Sequence, residues 1–190
     1  MKNSMKRQNQ CSLAASCRIF FTLLFGALLA AGILPARAQS QVIVLGTFHG
    51  HQYLYDTRPY VSFDGANQAA QALGAQLVSI TSAAEGNFLI SKITPFAGTQ
   101  LRTAWIGLTR PTSADPFTWV SGQPFVYSNW RPAGVGVAFA EPTNNEGETA
   151  GVFYVNDPNE PLGPIPVGYW ADTFPLGSEA FNAIYERSRR

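Results

Sequence analysis

The stretch Ser62-Phe-Asp-Gly-Ala66-Asn-Gln-Ala69-Ala70-Gln-Ala-Leu73-Gly74-Ala-Gln-Leu77-Val-Ser-Ile80-Thr-Ser82-Ala-Ala-Glu85-Gly-Asn-Phe88-Leu89 decides how the chain folds. Ser62 is a helix N-cap, a residue whose side-chain oxygen accepts a free N–H of the first turn. Ala66, Ala69, Ala70 and Leu73 follow at i, i+3, i+4 and i+7, which makes one buried helix face, and Gly74 is a stop. Leu77–Ile80 is a short strand-like run. Ser82 and Glu85 then have capping-box spacing, in which hydroxyl and carboxylate reciprocally satisfy the first free N–H groups. Phe88, Leu89 and Ile93 carry a second helix to Thr94, where Pro95 ends it.

Outward from these helices the character changes. Upstream, residues 39–61 read as extended: Gln41–Leu45 is β-branched and apolar, Gly46 and Gly50 punctuate, and Tyr53, Tyr55 and Tyr60 recur. Downstream, Ala104–Leu108, Phe117–Trp119, Phe125–Tyr127, Val152–Val155, Tyr169-Trp170 and Ala183–Tyr185 are short aromatic or β-branched runs, each a candidate strand. Two helices followed by many short strands is an α+β order, not the alternation of a parallel sheet. Two segments resist assignment: residues 131–151, rich in Gly, Pro, Asn and Glu, and residues 156–167, with four prolines. Loops of that length in a compact domain usually carry function.

At this point the residues resemble a known family. Ser62 to Leu89 resembles the two-helix opening of the C-type lectin-like domain, and Trp105-Ile-Gly-Leu108 its central core motif. Phe117-Thr-Trp-Val-Ser-Gly122 and Tyr127-Ser-Asn-Trp130 resemble the aromatic strand and turn that follow. Glu141-Pro142 resembles the family's Glu-Pro-Asn loop, Gly147-Glu148 the Gly-Glu beyond it, Gly168-Tyr-Trp-Ala-Asp172 the Gly-x-Trp-Asn-Asp strand, and Ala183-Ile-Tyr-Glu186 the closing strand. The matches run in order over residues 50–186. The resemblance implies an α+β C-type lectin-like fold: two helices, short antiparallel strands and a long loop region. It also implies a cis bond before Pro142. Family members usually carry two disulfides. Alignment places Ala70 and Tyr185 at one cysteine pair, and Ala150 or Gly151 with Pro175 at the other, so this chain, which resembles a bacterial secreted variant, has neither.

In sugar-binding members a Ca²⁺ ion is held by the Glu and Asn of Glu-Pro-Asn, a second Glu, and the Asn and Asp of the strand motif. The same side chains bind vicinal sugar hydroxyls. Ca²⁺ takes about 6–8 oxygens. Carried over, the resemblance implies a metal set of Glu141, Thr143, Glu148 and Asp172, with Thr143 in place of the first Asn and Ala171 in place of the second. It implies a carbohydrate site of Glu141, Thr143, Asn144, Glu148 and Asp172, with Trp130 at the loop mouth as a stacking ring. Trp170 is expected beneath the site. The metal is in question because Ala171 offers no side-chain oxygen.

Composition narrows the function further. Met1–Arg18 carries Lys2, Lys6, Arg7 and Arg18 with no acid, Ile19–Leu34 is a charge-free apolar run, and Pro35-Ala-Arg-Ala38 follows. That order describes a secretory signal peptide cleaved after Ala38, with an apolar run short of the about 20 residues of a membrane span. The expected domains are therefore 1–38, a leader, and 39–190, a single lectin-like domain. Of 13 basic and 12 acidic residues the leader takes five basic ones (those four and Arg37), leaving 8 against 12, a net −4. No basic stripe remains for a nucleic acid. Cys11 and Cys17 both lie in the leader, which removes thiol chemistry and Cys-ligated zinc from residues 39–190. No nucleophile elbow or triad signature occurs. The sequence thus reads as a secreted or periplasmic binding protein, not an enzyme, with no stable membrane span after cleavage. Its partner is a glycan, with Ca²⁺ as cofactor, or alternatively a surface protein bound without calcium.

Overall fold

A β-hairpin comes first among the described elements. The structure, a computed structural model, describes residues 41–97 and 102–188, and the expected leader lies outside them. Strands β1 (Val42–Phe48) and β2 (His51–Ser62) pair antiparallel. His49 and Gly50 join them with φ of 46° and 84°, the left-handed pair that a two-residue hairpin turn requires. The expected extended region is therefore a hairpin.

Helix α1 (Phe63–Ala72) begins where Ser62 Oγ accepts the Gly65 N–H at 3.1 Å, and it buries Phe63, Ala66 and Ala70. Gly74, at φ 62°, turns the chain out of the helix. A two-residue strand, β3 (Gln76–Leu77), follows. Helix α2 (Ala83–Ile93) is capped by Ser82, whose Oγ accepts the Glu85 N–H at 3.2 Å. The return half of the capping box does not form. Glu85 is buried against β2, where its carboxylate takes the Tyr53 hydroxyl at 2.6 Å and the Thr81 N–H at 2.8 Å instead of the Ser82 N–H. Past Ile93 a single 3₁₀ turn, Thr94–Phe96, absorbs Pro95.

The remaining strands are β4 (Thr103–Thr109), β5 (Thr118–Trp119), β6 (Ala150–Tyr154), β7 (Trp170–Thr173) and β8 (Leu176–Ser188). The sheet runs β1-β2-β8-β4-β6-β7, with β3 on β8 and β5 on β4. Two expectations are corrected. The strands are not all short, because β2 has 12 residues and β8 has 13, each flanked by partners on both sides. Nor are all pairings antiparallel: β4 lies parallel to β8, a geometry that the long chain between them permits. Phe125–Tyr127 forms no strand. Phe125 and Tyr127 instead pack against the core, with Tyr127 edge-on to Trp170 at 5.7 Å, while Val126 between them is exposed.

Two apolar clusters hold the sheet to the helices. One contains Tyr53, Leu89, Ile93, Ile106, Trp119, Phe153 and Trp170. The other contains Ala66, Ala70, Trp105, Phe181 and Tyr185, and the Trp105 indole N–H donates to the Tyr60 carbonyl at 3.1 Å. Ala70 and Tyr185, which the resemblance placed at cysteine positions, are both fully buried in this second cluster.

Tyr185 also donates to Asp56 Oδ2 at 3.1 Å. Asp56 is fully buried and takes further bonds from Tyr60 and from the Arg58 side chain and N–H. Burial alone would raise its carboxyl, but these donors and the Arg58 charge outweigh burial and hold it below the usual carboxylate range. A lowered folded pKa stabilises above the unfolded value and is lost as pH falls through the folded one. Asp56→Asn should therefore cost about 1–3 kcal/mol at neutral pH, and the gap from wild type should close as urea titrations move to acid. A gap that persists unchanged to pH 2 would contradict this.

Candidate binding site

Strand β7 sets the floor of the site. Trp170, 1% exposed, is fixed at both backbone groups: its N–H donates to the Asn129 carbonyl at 2.9 Å, and its carbonyl accepts the Arg131 N–H at 3.0 Å. Its ring stands edge-to-face against Trp119, Tyr127 and Trp130, so it lies beneath the site as expected. Two residues on, Asp172 pairs with Gly151 of β6 and has a fully buried side chain. The long loop leaves Arg131, returns when the Glu141 N–H bonds the Arg131 carbonyl at 2.8 Å, and re-enters the sheet at Ala150. The Glu141–Pro142 bond is cis, as the resemblance implied.

Five of the six expected site residues converge. Asp172 Oδ1 accepts the Thr143 N–H at 2.9 Å, and Oδ2 accepts the Asn144 N–H at 3.0 Å. Glu141 Oε2 shares the Thr143 N–H at 3.2 Å. Glu148 Oε2 accepts the Thr143 hydroxyl at 2.6 Å and the Asn145 N–H at 2.9 Å. The sixth, Trp130, does not stand free at the loop mouth. It is partly buried, packed against Phe117 at 5.2 Å and Phe125 at 6.5 Å as well as Trp170.

Two arginines that the motifs did not single out occupy the middle. Arg110, just past β4, donates to Asp172 Oδ2 at 2.8 Å, to Asn144 Oδ1 at 2.6 Å and twice to the Glu148 carbonyl at 2.6 and 3.0 Å. Its guanidinium sits 4.1 Å over the Phe117 ring. Arg131 donates to Glu141 Oε1 at 2.9 Å and to the Val135 and Phe139 carbonyls at 2.9 and 2.8 Å. Their side chains are 3% and 1% exposed. A sequence signal existed: residues 39–186 hold only five basic side chains, and two of them lie within two residues of the end of a family motif.

Electrostatically the cluster is nearly closed. Burial, with the neighbouring Asp172, pushes the Glu141 carboxyl up to about 7 against the pull of Arg131. Five of the six oxygens of Glu141, Glu148 and Asp172 already accept protein donors. Ca²⁺ would need about 6–8 free oxygens. Among the described residues no group of three or more His, Cys, Asp or Glu is arranged to hold a metal. The expected set of Glu141, Thr143, Glu148 and Asp172 does not fit the ion, because guanidinium and amide donors hold the lone pairs the ion would need.

A hairpin-closed mixed sheet, two capped helices and a long acidic loop over a Trp-x-Asp strand define a C-type lectin fold. Residues 60–160 match the family model for the lectin C-type domain, and the chain belongs to that family. It is 46% identical to rat lithostathine over 54 residues, which is 28% of this chain and 32% of that protein. It is 38% identical to the mouse secretory phospholipase A2 receptor over 80 residues, 42% of this chain and 5% of the receptor. The alignments thus span under a third of these relatives. Among solved structures, the cow C-type carbohydrate-recognition domain of CD23, determined in the presence of a GlcNAc2Man3 oligosaccharide, superposes with a TM-score of 0.57 at 26% identity. The match covers 80% of this chain and 95% of that one. The Ca²⁺-independent C-type lectin SPL-2 of Saxidomus purpuratus gives 0.58 at 21% identity, covering 74% and 88%, and shows the fold alone.

Proposed function

We propose that the chain is an exported carbohydrate-binding module of C-type lectin type, taking its ligand at the 131–151 loop and the adjoining 168–173 segment. The observation that carries this reading is the convergence of Glu141, Thr143, Asn144, Glu148 and Asp172 on one surface-rimmed cluster. Family membership and the carbohydrate-recognition neighbour support it. Within the cluster the roles divide by burial. Asp172 and Glu141 are spent on holding the loop. The rim presents exposed Asn144, Asn145 and Glu146, and the partly exposed Glu148, to solvent.

Carboxylates on such a rim accept hydrogen bonds from sugar hydroxyls, and a charged bond of this kind contributes about 1.5–3 kcal/mol. Phe174, half exposed, lies against Gly147, so close that a Cβ there would meet its ring at 2.9 Å. It offers the apolar surface that Trp130 does not. Export rests on the leader-like residues 1–38, and no helix among the described residues is long and apolar enough to cross a membrane.

On a glycan panel, wild type should retain one class of glycan and a Glu146→Gln/Glu148→Gln variant should bind it at least tenfold more weakly. Equal binding by the variant would remove the rim from the site. A second reading, a protein-binding module on the same fold, is favoured by the exposed Phe139, Leu162 and Phe174. It becomes the better one if no glycan is retained.

A further inference from the structure

The geometry points to Arg110 and Arg131 as built-in cations that set the 131–149 loop in place of a divalent metal ion. Three observations converge on this. The first is the acceptor set: the hydrogen bonds that the two guanidinium groups make within the loop go to carboxylate, amide or backbone carbonyl oxygens, the oxygen types that hard cations select, while Arg131 Nε is buried without an acceptor. The second is charge. Two guanidinium groups carry the same total charge as one divalent ion, and they meet the carboxylates of Asp172 and Glu141, two of the three that the resemblance assigned to the metal. The third is reach. Arg110 joins the end of β4 to Asn144, the Glu148 carbonyl and β7, while Arg131 gathers Val135, Phe139 and Glu141 around itself. Between them they fix the loop at its start, middle and end.

The two charges lie almost wholly out of water, a placement that stabilises only when the partners are well aligned and numerous. The aromatic faces of Phe117 and Phe139, at 4.1 and 5.2 Å, cover guanidinium surface left by the oxygens. Arginine suits this task better than lysine, since its planar fork holds several acceptors at once. The physical consequence is a loop ordered by the chain itself. Chelators and calcium supply should not change its shape, in contrast to a site whose ligands repel one another until an ion arrives.

The inference concerns how the loop is held and stands apart from the glycan reading, so the test reads loop order and not sugar binding. Thermal unfolding and limited proteolysis of the purified protein are run in millimolar Ca²⁺ and in EDTA. An ion bound at a hundredfold its dissociation constant would raise the midpoint by roughly 5–10 °C in a domain of this size. Wild type is expected to show the same midpoint and the same loop protection in both. Arg110→Ala is expected to expose the loop to protease, with millimolar guanidinium or Ca²⁺, but not equal NaCl, restoring protection. A calcium-dependent midpoint in wild type overturns the inference, as does unchanged loop protection in Arg110→Ala or protection that no cation restores. Should Arg110→Ala not fold, Arg131→Ala is carried through the same arms, and the wild-type comparison stands on its own.

Discussion

Alanine at position 107 is expected to destabilise the domain by at least about 3 kcal/mol, the upper end for overpacking a tight interior. Gly107 lies in the Trp105-Ile-Gly-Leu108 stretch of β4, and a Cβ there would sit 2.7 Å from the Leu77 carbonyl oxygen and 3.1 Å from that of Val78. A third contact, Val120 Cγ2 at 2.9 Å, is a side-chain atom that can rotate. The two carbonyls cannot, because the Gly107 N–H donates to the Val78 carbonyl at 2.8 Å and Leu77 is held in β3 by its antiparallel pairing with Tyr185 of β8. Relief requires β4 to move away from the 77–78 segment, which breaks the bond that holds them. The Gly107 backbone is not in the left-handed region, so conformational freedom is not the reason for glycine here; the reason is space. Urea unfolding of Gly107→Ala measures the loss, and a free energy within about 0.5 kcal/mol of wild type, the range of an ordinary surface change, would sink the argument.

Trp170→Ala is expected to cost about 3–5 kcal/mol, as for a large aromatic truncated in a core. Three rings, Trp119, Tyr127 and Trp130, meet Trp170 edge-to-face at 5.7–5.9 Å, and no single neighbour can collapse into the space. A domain with about 5–15 kcal/mol to lose still folds, so the variant separates two effects. Trp170 also anchors Arg131 through its carbonyl and precedes Asp172 by two residues. The loop should therefore become protease-sensitive at temperatures where the sheet, followed by far-UV circular dichroism, remains intact. Trp170→Phe, which keeps an aromatic ring, should retain much of both. Equal loop protection in Trp170→Ala and wild type would show that β7 does not position the site.

How much was legible in the sequence follows the range of the interactions. Both helices were readable because caps and apolar spacing act within a few residues: Ser62, Ser82, Ala66 and Ala70 all sit as expected. Glu85 departed from its capping role because Tyr53, 32 residues away, offered its carboxylate a buried donor. The strands were readable where β-branched or aromatic runs met partners, and not where they did not. Phe125–Tyr127 has strand composition but no ladder. The long β8 owes its length to β2 and β4 on either side, and no local pattern announces that.

The site divides in the same way. Glu141, Thr143, Glu148 and Asp172 were legible as candidates because family motifs mark their positions, and Asn144 because it lies beside them in the loop; the five meet in one cluster. Trp130 was legible as an aromatic but not as one already engaged by Phe117, Phe125 and Trp170. Alone, the sequence determined the α+β lectin-like class, the net −4 of residues 39–190, their freedom from cysteine and the identity of the acidic loop. Tertiary structure alone decided what neutralises that loop. Arg110 and Asp172 are 62 residues apart, so the contact exists only because β4 and β7 flank β6 in the sheet. Burial then makes each carboxylate take the nearest strong donor, because an unpaired charge out of water is too costly to leave.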